Sequence, residues 1–132
     1  MAASAAAIAA MSDDRFAALP APPYYAVIFS SQRSEQDQAG YETTAARMVE
    51  LVRAQPGFLG FESTRDGSGF GITAAYFDSE ASIAAWRAQA EHAAARDLGH
   101  RLWYRRFELR VARVERAYGG PHKPSTHSAS SA

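Results

Sequence analysis

Two side chains suited to removing a proton and stabilising the resulting anion, His92 and Arg96, lie one helical turn apart. Because an unperturbed imidazole titrates near pH 6.5, His92 is the candidate general base or proton relay. The guanidinium of Arg96 would stabilise the anion that deprotonation leaves behind. His92 follows Trp86 by six residues, which on a continuous helix turns it about 120° away from the tryptophan face. The pair is therefore predicted to lie at the edge of a pocket or in a solvated stripe.

Aromatic residues supply the walls that a small-molecule site needs. Ligand pockets are mostly apolar and aromatic, with a few polar groups that fix orientation. The candidate wall residues are Tyr41, Phe61, Tyr76, Trp86, Trp103 and Tyr104. The alternative for each of these rings is a place in the hydrophobic core. His100 follows Gly99, which is expected to end a helix, and is predicted to be a loop residue.

The composition excludes several classes of function. The 132 residues include 14 basic and 14 acidic side chains and no Lys/Arg-rich run, so no nucleic-acid partner is expected. The chain has no cysteine, which excludes disulfides and thiol chemistry. No histidine or carboxylate pair has the spacing of metal ligands on one helix face, so neither a metal nor another cofactor is predicted. No run approaches the ~20 apolar residues that cross a bilayer, so no membrane contact is expected, and the absence of a secretory signal favours the cytoplasm.

The elements that position these residues follow from hydrophobic periodicity. The chain between Tyr24 and Tyr118 predicts the order strand, helix, strand, strand, helix, strand. A small sheet with two helices on one face leaves its other face open, which implies a partner subunit.

The predicted boundaries follow from turn and cap residues. The strands are expected at residues 24–30, 58–64, 70–77 and 103–118, and the helices from about residue 35 or 37 to 55 and from 79 to 99. Residues 31–34 are predicted to form a loop and residues 66–69 a hairpin turn. The last strand changes its alternation near Val114, which predicts a bulge or bend, and its far end is expected to meet a second subunit.

Both ends of the chain lack the apolar surface needed to fold. Residues 1–23 begin with an alanine-rich stretch, and residues 119–132 are Gly, Pro, Ser, Thr, His and Ala with one Lys. Both are predicted to be disordered, which leaves residues 24–118 as the single folded domain. His122 and His127 lie in the tail and are not site candidates.

Three segments carry a resemblance to a known family. They are the run PGFLGFES at residues 56–63, the hairpin strand Ile72–Tyr76 with the following helix to Trp86, and the final stretch Val114–Tyr118. As a set they resemble the antibiotic biosynthesis monooxygenase family. The resemblance implies a ferredoxin-like α+β fold in which two subunits pack their sheets face to face as a dimeric α+β barrel. It also implies a pocket between the sheet and the helices of each subunit.

The resemblance implies several activities, and the residues favour one of them. The leading hypothesis is cofactor-independent oxidation of a small aromatic, anthrone- or quinol-like substrate. His92 would be its base and Arg96 would stabilise the oxyanion, while Trp86, Trp103 and Tyr104 would position the ring. The main alternative is a non-catalytic small-molecule-binding or stress-response protein, and an isomerase is a third possibility.

Haem degradation is the less favoured alternative. The haem-degrading branch resembles this chain at Trp86, but it also uses an asparagine in the first strand and an iron-ligating histidine about three turns after the tryptophan. The strand Tyr24–Ser30 contains no asparagine, and Arg96 occupies the tenth position after Trp86.

Overall fold

The computed structural model describes residues 15–121 of the 132-residue chain. Within this range it has four strands, three α-helices and one π-helical turn. In chain order these are β1 (Tyr24–Arg33), α1 (Gln38–Arg53), β2 (Phe58–Arg65), β3 (Phe70–Phe77), α2 (Glu80–Ala88), α3 (Ala90–Leu98), the π-helical turn (Gly99–Trp103) and β4 (Tyr104–Val114). The predicted disorder of residues 1–14 and 122–132 concerns segments outside the described residues.

The four strands form one antiparallel sheet in the order β2-β3-β1-β4. This order and the position of the helices confirm the predicted α+β, ferredoxin-like arrangement. Side chains alternate between the two faces of a strand, so Val27, Ala75 and Phe77 lie on the face that the helices cover, here called the inner face. Ala26 and Tyr76 lie on the opposite, outer face.

The core lies between the inner face and the helices. It joins Met48 and Val52 of α1 to Phe77 of β3 and Trp86 of α2, all of them buried. Burying an apolar side chain of this size contributes about 1.5–3 kcal/mol, so these contacts hold the helices against the sheet.

Two residues set the ends of α1. Asp37 has a left-handed backbone conformation and caps the helix, because its Oδ1 accepts from the N–H of Gly40 at 3.2 Å. The helix begins at Gln38, next to the predicted start. Gly57 follows the helix with φ 83°, and a Cβ there would lie 2.0 Å from the Oγ of Ser82. Glycine is therefore required for the chain to enter β2.

The prediction of one long second helix was wrong. Gln89 has φ −61° and ψ 129°, an extended conformation that separates α2 from α3. The helical path also continues past Leu98 as the π-helical turn, so Gly99 does not end it. His100 and Trp103 consequently lie in a helical turn, where a loop and the start of a strand were predicted.

Three predictions about the strands also needed correction. The predicted loop at residues 31–34 is wrong for its first three residues, because β1 continues to Arg33, whose N–H donates to the carbonyl of Gly69 at 2.9 Å. β4 begins at Tyr104 and ends at Val114, because Val114 pairs with Tyr24, the first residue of β1, and later residues have no strand beside them. The predicted bulge near Val114 is absent from this pairing, whose irregularity lies at the Gln32–Arg33 step.

Residues 15–23 run across β2 before β1 begins. The side chain of Arg15 donates to the carbonyl of Ser63 at 2.9 Å, and the N–H of Ala17 donates to Oε2 of Glu62 at 3.1 Å. A Cβ at Gly60 would lie 3.1 Å from the Cβ of Ala17. The described part of the predicted extension therefore contacts the sheet.

Candidate functional site

A cavity of about 300 Å³ lies between the inner face of the sheet and the helices. All four strands, the three helices and the π-helical turn contribute to its wall. Most of this wall is apolar, which suits a ligand that is largely hydrocarbon. Its aromatic and polar side chains are Phe29, Tyr41, Thr44, Phe58, Phe61, Thr73, Phe77, Trp86, Arg87, His92, Arg96, His100, Trp103, Tyr104 and Phe107.

His92 lies flat against Trp86 in this wall. The two rings stack with centroids 4.1 Å apart and planes 8° apart. The Nδ1 of His92 lies 2.9 Å from the carbonyl oxygen of Trp86. The predicted 120° separation of these residues was wrong, because it assumed a continuous helix and the chain bends at Gln89.

Burial makes the His92 ring a neutral group. Desolvation lowers the pKa of His92 to about 4, and the nearby cations Arg96 and Arg87 act in the same direction. The hydrogen bond to the Trp86 carbonyl opposes this shift without cancelling it. At neutral pH the ring is therefore uncharged and carries one nitrogen with a free lone pair.

The charged side chains that line the cavity within residues 15–121 are all basic. Arg96 lies one turn after His92 and donates to the carbonyl of Arg87 at 3.0 Å, across the break between α2 and α3. Arg87 also lines the cavity. This wall favours a ligand that carries, or develops, a negative charge.

His100 is a second imidazole at the cavity. It stacks on Phe107 of β4 with centroids 4.6 Å apart and planes 12° apart. The π-helical turn directs its ring toward the sheet, and the sequence contained no clear signal for that turn. The small polar residues Thr44 and Thr73 were also missed, although Thr73 shares strand parity with Phe77 and could have been found.

The aromatic residues Tyr41, Trp103 and Tyr104, three of the predicted wall residues, lie in contact with one another. Tyr41 meets Trp103 and Tyr104 edge to face, with centroids 5.8 Å and 6.0 Å away. The indole N–H of Trp103 donates to Oδ2 of Asp37 at 3.2 Å. Burial and the hydrogen bond with Tyr41 raise the pKa of Tyr104, so its hydroxyl stays protonated.

Of the other two predicted wall residues, only Phe61 lines the cavity. Phe61 packs against Phe58 beside the core. Tyr76 lies on the outer face, where it meets Tyr24 edge to face and donates to Oε1 of Glu62 at 3.0 Å. Burial and the neighbouring carboxylate raise the pKa of Tyr76 to about 12. The strand alternation that places Phe77 inward places Tyr76 outward.

A second, polar cavity of about 560 Å³ lies beyond Tyr41, at the end of β1. Arg33 is 5% exposed there and holds its guanidinium carbon 4.0 Å from the centre of the Tyr41 ring. It donates to the carbonyl of Trp103 and, at 2.8 Å, to Oε1 of Gln38. Arg65 donates to the carbonyl of Gly69 at 2.6 Å. The two arginines tie the hairpin, the start of α1 and the π-helical turn together.

Residues 15–121 contain neither a metal-ligand cluster nor a helix that could cross a bilayer. No cluster of three or more histidine, cysteine or carboxylate side chains has an arrangement that could hold a metal ion. None of the helices in this part of the chain is long and apolar enough to span a bilayer.

Sequence comparisons give two matches. The family model described as antibiotic biosynthesis monooxygenase matches residues 23–98. The uncharacterized protein YqjZ of Bacillus subtilis (strain 168) is 55% identical over 97 residues, which cover 74% of this chain and 84% of that protein.

Solved structures share the fold at low sequence identity. SnoaB, a cofactor-independent oxygenase from Streptomyces nogalater, superposes with a TM-score of 0.61 at 14% identity, over 73% of this chain and 97% of that one. Rv0793 from Mycobacterium tuberculosis superposes with a TM-score of 0.60 at 14% identity, over 78% and 99%. At this identity the likeness establishes the fold alone.

Proposed function

The chain belongs to the antibiotic biosynthesis monooxygenase family, and from this we propose that it oxidises a small phenolic aromatic substrate, anthrone- or quinol-like, with molecular oxygen and no cofactor. The observation that carries the proposal is the cavity itself. It combines apolar walls, a neutral imidazole at His92 and a cation at Arg96 beside it. SnoaB, which shares this fold, is a cofactor-independent oxygenase, so the fold can accommodate this reaction class.

The chemistry begins with loss of a proton from the substrate hydroxyl or its enol form. The resulting anion is electron-rich enough to reduce O2 directly. For an anthrone, one oxygen atom replaces the two hydrogens of the ring methylene as a carbonyl, and the other oxygen leaves with them as water. For a quinol, two electrons and two protons pass to O2, which gives the quinone and hydrogen peroxide.

The protein must lower the cost of the deprotonation. A simple phenol has a pKa near 10, like tyrosine, so transfer to an imidazole with a pKa of about 4 costs roughly 8 kcal/mol. Hydrogen-bond donors aimed at a developing oxyanion recover about 3–4 kcal/mol each. Arg96 is the candidate for this role. Because one such donor recovers less than the full cost of deprotonating a simple phenol, we expect a substrate more acidic than phenol, such as an anthrone that enolises.

A second function is favoured by the same low pKa. A histidine that resists protonation is a better hydrogen-bond acceptor for a bound hydroxyl than it is a base. The cavity would then hold an aromatic ligand without turnover. This binding function predicts that the ligand raises the melting temperature while no product forms.

The test is oxygen uptake by the purified, chelator-treated protein over a panel of anthrones and hydroquinones, with product analysis. Saturable uptake with a quinone product supports the oxidase. Uptake no faster than the protein-free rate, together with ligand-induced thermal stabilisation, supports the binding function. A protein that neither consumes oxygen nor is stabilised by any panel member would contradict both.

We also propose that two copies pair through the outer face of the sheet. No helix lies over that face among the described residues, and Phe70 and Ile72 are exposed there at 45% and 42%. Light scattering should give twice the chain mass of 14.3 kDa. Ile72→Lys should shift the protein toward the monomer, whereas Thr43→Lys on the exposed side of α1 should not. A monomeric wild type would exclude this pairing.

A further inference from the structure

The bend between α2 and α3 is made by a single residue, Gln89. Its extended backbone ends α2, and its N–H donates to the carbonyl of Trp86 at 3.1 Å. Its side chain then caps α3, because Oε1 accepts from the N–H of His92 at 2.7 Å. One residue therefore closes the first helix and starts the second.

This bend is what brings His92 onto Trp86. On a continuous helix, residues six positions apart are about 9 Å apart along the axis and point in different directions. Here the two ring centroids are 4.1 Å apart. Parallel stacking at that distance is incompatible with an unbroken helix, so the ring contact depends on the extended conformation at Gln89.

The contact also fixes the tautomer of His92. A carbonyl oxygen can only accept a hydrogen bond, so the Nδ1 that lies 2.9 Å from the Trp86 carbonyl must carry the proton. In the neutral ring the lone pair then belongs to Nε2. Within residues 15–121 no side chain or backbone group forms a hydrogen bond with Nε2, and this atom is accessible to solvent.

Burial keeps the ring neutral, and the charges around it act in the same direction. Arg96 on α3 and Arg87 on α2 face it, and His100 lines the same cavity. The nearest carboxylate along α3 is Glu91, which is paired with Arg47 of α1 at 3.0 Å. The imidazole thus presents an acceptor between cationic neighbours.

We propose that Gln89 is a positioning residue that fixes His92 as the Nδ1–H tautomer, so that Nε2 accepts a hydrogen bond from a ligand hydroxyl. The cavity would therefore select aromatic ligands with a free hydroxyl over their O-methyl ethers. The ligand class rests on the proposed function, but the positioning role of Gln89 and the tautomer of His92 do not.

The first test is the tautomer, measured by long-range ¹H–¹⁵N NMR of the imidazole in uniformly labelled protein. In the wild type, Nε2 of His92 should be the unprotonated nitrogen. Gln89→Ala removes the cap and introduces the strongest helix former, so α2 and α3 should merge and His92 should move off Trp86. Its resonances should then shift toward those of a solvated histidine, with the proton mainly on Nε2.

Gln89→Asn is the matched control. Asparagine is a preferred N-cap residue that keeps the acceptor and adds no charge, so it should retain the wild-type tautomer. A protonated Nε2 in the wild type overturns the proposal without any variant. A wild-type tautomer in a folded Gln89→Ala protein overturns the role of Gln89.

The second test compares 1-naphthol with 1-methoxynaphthalene as ligands. The naphthol should bind about tenfold more tightly and should shift the Nε2 resonance, whereas the ether should leave that resonance in place. Equal affinities, or an Nε2 signal unmoved by saturating naphthol, overturn the selection for a hydroxyl. If the protein binds 1-naphthol selectively but oxidises none of the anthrones and hydroquinones in the oxygen-uptake panel, this inference is supported and the oxidase proposal is contradicted.

Discussion

The indole of Trp86 and the imidazole of His92 stack face to face with planes 8° apart, although six residues separate them along the chain. The stacking buries the imidazole, and burial lowers the pKa of His92 to about 4. In the unfolded chain the same group titrates near 6.5. The folded and unfolded states therefore bind different numbers of protons between these two pH values.

The first prediction is a loss of stability in acid that is caused by His92. Above pH 6.5 the ring is neutral in both states and contributes no pH dependence. As the pH falls toward 4 the unfolded state takes up a proton that the folded state refuses, so the free energy of unfolding should fall by roughly 3 kcal/mol. Urea denaturation at pH 7 and pH 4 measures this change. His92→Gln should remove about that much of the pH dependence, and an unchanged slope in this variant would contradict the buried, neutral ring.

The second prediction concerns Gly57, between α1 and β2. Its φ of 83° and the position of Ser82 leave no room for a side chain. We expect Gly57→Ala to reduce the free energy of unfolding by roughly 1–3 kcal/mol. Gly67, in the hairpin turn, is the matched control because nothing lies within 4 Å of a Cβ there. Equal losses for Gly57→Ala and Gly67→Ala in urea denaturation would show that the close approach of α2 is not a constraint.

The third prediction concerns the buried guanidinium of Arg33. Its hydrogen bonds connect β1 to the Trp103 carbonyl and to Gln38 at the start of α1. Arg33→Met keeps much of the side-chain volume but removes these charged hydrogen bonds and the contact of the guanidinium with the Tyr41 ring, so the free energy of unfolding should fall by roughly 2–3 kcal/mol. Arg105→Met replaces an exposed arginine nearby and should change it by less than about 0.5 kcal/mol. Similar values for the two variants would show that Arg33 does not hold these segments together.

The sequence predicted the sheet well because its signals are local. The strand predicted at residues 70–77 and the Asp66–Gly69 turn specify the hairpin, and both were confirmed. The start of α1 was close to its prediction, and the start of α2 was predicted correctly because Ser79 is a recognisable N-cap. Turns, caps and alternation each depend on a few neighbouring residues, so they can be read from the chain directly.

The arrangement of the site was less predictable because it depends on two departures from a regular helix. Gln89 is a good helix former, and its role as an extended break between two helices shows only in the tertiary structure. The π-helical turn that carries His100 and Trp103 has no side-chain cap, and its first residue, Gly99, was interpreted as the end of a helix. The projection of a continuous, regular helix therefore predicted that His92 faces away from Trp86. The helix end predicted at Gly99 likewise placed His100 in a loop.

The fourth prediction concerns Arg96. If its guanidinium stabilises the substrate anion, Arg96→Gln should lower kcat/KM for a substrate identified in the oxygen-uptake panel by about 100-fold or more. Arg101→Gln removes an exposed arginine of the π-helical turn that does not line the cavity, and it should leave kcat/KM unchanged. Steady-state oxygen uptake measures both variants. If the two substitutions reduce kcat/KM equally, the effect is one of overall charge and Arg96 does not act on the anion.

The fifth prediction separates the two faces of the sheet through a pair of tyrosines. Tyr104 lines the cavity with its hydroxyl bonded to Tyr41, whereas Tyr76 lies on the outer face with its hydroxyl donating to Glu62. Tyr104→Phe should weaken 1-naphthol binding several-fold, because it removes the Tyr104 hydroxyl from the cavity wall and breaks its hydrogen bond with Tyr41. Tyr76→Phe should leave the affinity unchanged and cost about 1 kcal/mol of stability. Calorimetric titration and urea denaturation of both variants measure these effects, and a loss of naphthol affinity in Tyr76→Phe would place part of the ligand site on the outer face.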